Sequence, residues 1–371
     1  MLAELDRHPH ARTVLASALT PPSRPSHAYL FHGPGGAGKR SAARALAAEL
    51  LAEGSADPES ARARVQSGAH PDLTWVVPSG AHEILVSDID GPVISAASKT
   101  PFESRRRVFV IERADELGDE AANRMLKTLE EPAPYVHLIL LTDRLGEILP
   151  TIRSRCQAVR FEAPSEEDAA ARVQELGVSA ETARACVRLS LQDAEHAREL
   201  ASAEGQALRQ AAEDYARAAV AGEMATARPW TSVLDAVRQR GTAAGTQLEG
   251  RAAAELEMVP RRERKRLETE WAERIRRARR RVQTGALDLA LQLVSLWFAD
   301  LAALAWDAPD LVRNVDRLPA LEADAAEGPD AMALRTAIEL AEETRGRFLL
   351  NVSEDLACEA LAYRLQDTLE R

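Results

Sequence analysis

The chain has 371 residues, 47 Lys and Arg against 58 Asp and Glu, and a formal net charge of −11. That balance argues against a free-standing binder of naked nucleic acid, whose affinity would rest on neutralising phosphates. The length predicts two or three domains. The apolar fraction of 46% with only 4% aromatics is mostly Ala, Leu and Val, a mixture that favours helix over strand.

Over residues 1 to 162, five short β-rich runs alternate with helical patterns: 28–32, 73–77, 107–111, 137–141 and 157–161. This alternation predicts an α/β fold, a parallel sheet with helices on both faces, and the lack of in/out patterning fits strands buried on both sides. Residues 163 to 205 carry three helical patterns, Ser165–Glu175, Ser179–Leu189 and Asp193–Glu204, and Ser165 with three following acids is a good helix start. From 206 to 371 the pattern is all helical, with a linker-like passage from Asp307 to Asp330. Its most apolar stretch, Ala286–Ala305, is broken by Asp288, Gln292, Ser295 and Asp300, so it reads as a buried core helix and no membrane contact is expected. Residues 261–281 hold eleven Lys and Arg against four Glu. Leu267, Trp271, Ile275, Ala278 and Val282 share one face there, so the segment reads as a packed helix with a solvated charged side. The alternative is a ridge facing nucleic acid or an acidic partner.

Three distant cysteines, Cys156, Cys186 and Cys358, make a disulfide framework improbable and point to a reducing compartment. The first dozen residues carry charges and histidines in place of a hydrophobic signal core, so a cytoplasmic location is expected.

After the first strand run comes Gly33-Pro34-Gly35-Gly36-Ala37-Gly38-Lys39-Arg40-Ser41. The spacing G-x-x-x-x-G-K between strand and helix is that of a phosphate loop: glycines let backbone N–H groups curl round an anion, while Lys39 and the helix N-terminus supply positive charge. Where a hydroxyl should ligate Mg²⁺ stands Arg40, and a cation cannot ligate a cation. The acidic pair expected to close the strand 108–111 reads Glu112-Arg113. One carboxylate survives, one methylene longer than Asp, and the base that would orient a water is lost. The loop is read as able to hold ATP or ADP without hydrolysis.

The run Leu126-Lys127-Thr128-Leu129-Glu130-Glu131-Pro132, followed by Thr151-Ile152-Arg153-Ser154-Arg155-Cys156, resembles the clamp-loader branch of the AAA+ ATPases. Within it, 26–30 before the phosphate loop, His70-Pro71-Asp72 and Asn351-Val352-Ser353-Glu354-Asp355-Leu356-Ala357 are similar to the delta-prime family of bacterial DNA polymerase III subunits. The resemblance implies a RecA-like AAA+ domain (1–162), a three-helix lid (163–205) and an all-helical collar (206–371) that assembles a pentamer. It implies gamma/tau and delta subunits as partners, and the sliding clamp and primer–template DNA through the assembly. In such loaders the arginine of the Ser-Arg-Cys motif, here Arg155 beside Ser154, reaches into a neighbour's ATP site; the alternative is that Arg155 pairs with a carboxylate of its own domain. Thr142 matches the strand-end sensor of the γ-phosphate, and Gln192 stands where motor subunits carry a lid arginine. Defects at Arg40, Arg113 and Gln192 with Arg155 kept imply a stationary subunit lacking ATPase and polymerase activity of its own.

Two rival readings are an active gamma/tau-like motor and a DNA-binding module using 261–281. Residues 50–69 lack the cysteines from which many relatives build a zinc site, so no zinc is expected; 54–64 then forms a linker or short helix, and His70 a structural loop histidine. Leu291, Val294, Trp297, Phe298 and Leu301 are expected to meet sister subunits, leaving apolar patches exposed on the isolated chain.

Overall fold

A computed structural model describes residues 5, 8–20, 24–78, 83–191, 193–326, 329–348 and 352–370, so Gln192 and Asn351 lie outside the described residues. The chain divides into two compact units, Met1–Pro164 and Ser165–Arg371.

The first unit runs α1 (Pro9–Leu19), β1 (Ala28–His32), α2 (Lys39–Ala52), α3 (Pro58–Ser67), β2 (Leu73–Val76), α4 (Val86–Ile89), β3 (Arg107–Ile111), α5 (Asp119–Glu130), β4 (Val136–Thr142), α6 (Pro150–Arg153) and β5 (Gln157–Arg160). All strand pairs are parallel, in the order β2-β3-β4-β1-β5. Consecutive strand residues point to opposite faces, so Tyr29 and Phe31 join Leu46, Leu50 and Ile139 on one side. Leu30 joins Phe109, Met125, Leu129 and Leu138 on the other. Burying each such side chain contributes about 2 kcal/mol, which is why helices cover both faces. Burial on both sides holds for β1, β3 and β4. In β5, at the sheet edge, only Val159 is buried, because an edge strand has one covered flank.

The segment without cysteines folds as α3. Asp57 accepts the Ser60 N–H at its start, and Gly68 closes it in left-handed conformation.

The second unit is helical: α7 (Glu166–Gln174), α8 (Ala180–Leu189), α9 (Ala194–Ala201), α10 (Ala203–Val220), α11 (Met224–Ala227), α12 (Trp230–Met258), α13 (Arg261–Ala305), α14 (Leu318–Ala326), α15 (Ala331–Arg347) and α16 (Glu354–Leu369). Ser165, Ser179, Asp193 and Ser202 each accept backbone N–H groups at the starts of α7 to α10. The Ser202 cap ends the third helical pattern earlier than the sequence suggests. Part of the expected linker is helix, since Pro319 lies in the first turn of α14, where its missing N–H costs nothing.

The N-terminal half of α13 packs antiparallel on α12, so closely that a Cβ at Gly245 would lie 1.9 Å from Arg279 Nε. Trp271 is buried on the shared face and its Nε1 donates to Glu255 at 3.2 Å. The C-terminal half has the length and composition to cross a membrane, but Leu287, Ala290 and Val294 are buried in the helical core. Leu291, Val294, Trp297, Phe298 and Leu301 likewise lie inside the chain's own core, which corrects their assignment to subunit contacts: helical periodicity marks a covered face without saying what covers it. The apolar side chains exposed in this unit include Trp306, Leu311, Met332, Leu356 and Tyr363.

Candidate functional site

Phosphate loop, Glu112 and Thr142 all lie at the carboxyl ends of strands β1, β3 and β4, the edge at which open α/β sheets bind ligands. The loop's backbone takes conformations that favour glycine. Gly33, Gly36 and Gly38 have φ of 141°, 68° and 86°, and a Cβ at Gly33 would meet Phe161 O at 2.2 Å. Gly35 is buried beneath the turn, and α2 starts at Lys39, so the amides of Lys39, Arg40 and Ser41 belong to its first turn.

The side chains are arranged differently from a Mg·ATP site. Lys39 is buried, and its three ammonium donors face three acceptors: Gly33 O at 2.6 Å, Pro34 O at 2.5 Å and Asp143 Oδ1 at 2.6 Å. Arg40 reaches across to the second half of the site and places Nη2 2.5 Å from Glu112 Oε2. The other Glu112 oxygen accepts the Trp75 indole N–H at 2.5 Å. Glu112 is only 8% exposed and Arg40 is 51% exposed, so the carboxylate is covered and the guanidinium closes it from the solvent side. Arg113 is left-handed (φ 51°) and turns to Glu116 Oε1 at 2.5 Å. The Thr142 hydroxyl donates to Asp115 Oδ1 at 2.7 Å and accepts the Arg144 N–H at 3.0 Å.

A magnesium ion does not fit this donor set. No hydroxyl stands at position 40, both Glu112 oxygens have partners, and the charge that a metal would supply is already delivered by a guanidinium. Beside the loop, a cavity of about 360 Å³ is lined by Arg40, Ser41, Arg44, Glu49, Arg62 and Gln66. Arg44 stacks 4.5 Å over the Trp75 ring and donates to Val65 O and Gln66 O, while Arg62 pairs with Glu49.

The Ser-Arg-Cys turn follows α6. Arg155 ion-pairs with Glu130 at the end of α5, and donates to Thr151 O at 2.8 Å and Ser154 Oγ at 3.3 Å. The carboxylate of its own domain, weighed against the trans-acting role, is thus its partner in the free chain. Both side chains are on the surface, 33% and 47% exposed. Cys156 packs against the core, and burial pushes its thiol up to about 12, so it is inert as a nucleophile.

The His-Pro-Asp segment is structural. Asp72 accepts the N–H groups of Phe102, Glu103 and Ser104 at 2.6, 3.0 and 2.9 Å. Buried His70 sits between the Asp72 N–H and Ser104, and burial lowers its pKa. Among the described residues no group of three or more His, Cys, Asp or Glu is placed to hold a metal.

In the basic segment, Arg266 pairs with Glu270, Arg276 with Glu273, Arg279 with Glu249 and Arg280 with Glu354, and Arg274 covers the Trp271 ring. Much of its charge is therefore neutralised within the chain.

Residue patterns alone missed Trp75, Asp143 and Asp115, and gave Glu130 no role of its own. Asp143 follows the sensor-like Thr142 directly, and that adjacency was the one local signal available. The others are brought in by the sheet.

The sequence profile of the DNA polymerase III delta subunit family matches residues 8–165. The delta-prime subunit of Bacillus subtilis is 41% identical over 165 residues, 43% of this chain and 50% of its own length. That of Pseudomonas aeruginosa is 35% identical over 136 residues, 35% of this chain and 42% of its own. A gamma/tau subunit of Mycobacterium tuberculosis is 33% identical over 171 residues, 43% of this chain and 28% of its own. The chain thus spans half or less of the length of these relatives, and the likeness lies in the sheet-bearing unit. Through residues 8–165, with their phosphate loop and Ser-Arg-Cys turn, the chain is similar to the delta-prime subunits of DNA polymerase III.

Proposed function

We propose that this chain is the stationary subunit of a clamp loader: it completes a neighbour's ATP site through Arg155 and does not turn over ATP itself. The observation that carries this reading is the Arg40–Glu112 ion pair at 2.5 Å, which joins the two places where a magnesium ion would be ligated. A nucleotide entering the loop has to draw Lys39 from Gly33 O, Pro34 O and Asp143, so any ATP or ADP kept there is held without metal and without hydrolysis.

Arg155 supports the other half. A guanidinium delivered from outside a site stabilises charge on a transferring phosphoryl group, and Arg155 is held at the surface by an ion pair of the kind worth about 0–1 kcal/mol and by hydrogen bonds to Thr151 O and Ser154 Oγ. Its partners on this reading are gamma/tau and delta subunits, with the sliding clamp and primer–template DNA reached through the assembly, in the cytoplasm. Residues 163–205 and 206–371 serve as lid and collar. The test is ATP turnover by a loader reconstituted with Arg155→Ala. We expect normal folding and assembly with a loss on the order of 10³ at the site it serves. Unchanged turnover at every site contradicts the trans-acting role.

A further inference from the structure

Glu130 occupies a position that its helix does not favour. It is the last residue of α5, where the negative end of the macrodipole opposes a carboxylate. Leu129 before it is buried against the sheet, which turns Glu130 outward. Pro132 disfavours helical backbone at Glu131 and stops the helix there. The result is a carboxylate fixed on the surface, paired with Nη2 of Arg155, while Nη1 satisfies Thr151 O at the end of α6. A residue at odds with its local position marks a requirement beyond that helix. Here the requirement is the cation it holds.

We propose that Glu130 is a positioning residue that stows Arg155 in the free subunit and sets how readily the arginine transfers to nucleotide in the neighbouring site. This rests on the reading that Arg155 acts in trans. The terminal phosphate of ATP carries more negative charge than a carboxylate and offers the same two-pronged geometry to a guanidinium, so the exchange of partners runs toward the phosphate. Because the stowed arginine is withheld from the neighbour, the pair lowers the competent fraction and raises the ATP concentration needed for half-maximal turnover.

The test is turnover against ATP concentration in the reconstituted loader, for wild type, Glu130→Gln, Glu130→Asp, Arg155→Ala and the Glu130→Gln/Arg155→Ala double variant. Glu130→Gln is expected to lower KM about two- to fivefold with kcat unchanged. Glu130→Asp returns KM toward wild type, and Glu130→Gln is silent once Arg155 is alanine. If KM is unchanged or raised in Glu130→Gln while Arg155→Ala still loses turnover, stowing is overturned and the trans-acting role stands. Unchanged turnover in Arg155→Ala sinks both. A large drop in the urea midpoint of free Glu130→Gln chain marks a purely structural role and also overturns the proposal.

Discussion

Two arginine–glutamate pairs in the sheet-bearing unit have opposite consequences. Arg40–Glu112 links the phosphate loop to the end of β3 around a carboxylate that is 8% exposed and also bound by Trp75. Arg155–Glu130 links two helix ends on the surface, with its carboxylate 47% exposed. Water competes poorly for the first and freely for the second, so the same pair of residue types is a lock in one place and a latch in the other. The phosphate loop is thereby closed on itself, while Arg155 is held at the surface by a solvent-exposed carboxylate.

Substitutions that test this contrast rank by how deeply they cut into the closed site. Gly33→Ala should be the most damaging, about 2–4 kcal/mol in denaturant unfolding, because a Cβ there meets Phe161 O at 2.2 Å and φ is 141°. Wild-type stability would mean that the loop is not held in this shape. Glu112→Ala leaves the Trp75 N–H and Arg40 without their shared acceptor and should cost about 1–3 kcal/mol. Glu130→Ala should cost under about 1 kcal/mol. Equal losses for the two glutamates would erase the distinction between lock and latch.

A smaller effect is expected with pH. Burial lowers the pKa of His32, His70 and His137, and His137 donates from Nδ1 to Ser26 O at 2.8 Å. Their folded pKa values lie below the unfolded ones, so the unfolded chain takes up protons first. Stability is therefore full above the ordinary histidine pKa of about 6.5 and falls as the pH drops below it, by on the order of 1 kcal/mol per pH unit for each such group. Unfolding at pH 7.5 and 5.5 checks the sign, and His137→Gln should flatten the acid limb.

Much of the sheet was legible because its strands are short apolar runs with turn residues between them, and the phosphate loop because its glycines serve a backbone need that no other residue meets. The caps Ser165, Ser179 and Asp193 marked helix starts for the same local reason. What stayed hidden is long-range pairing. Nothing near Arg40 announces Glu112, 72 positions away, and Trp75 reaches that carboxylate only because β2 pairs with β3. The departures at positions 40 and 112–113 read separately as two losses; in three dimensions Arg40 and Glu112 are partners in one ion pair. The helical unit was harder still. The stripe from Leu291 to Leu301 identified a covered face, yet its cover is the chain's own core.

If the Arg40 guanidinium stands in a metal's place, as proposed, Mg²⁺-dependent ATP turnover by the purified chain is the measurement that exposes it. No turnover above background is expected at any Mg²⁺ concentration, for wild type and Lys39→Ala alike. Turnover that rises with Mg²⁺ and vanishes in Lys39→Ala would contradict it.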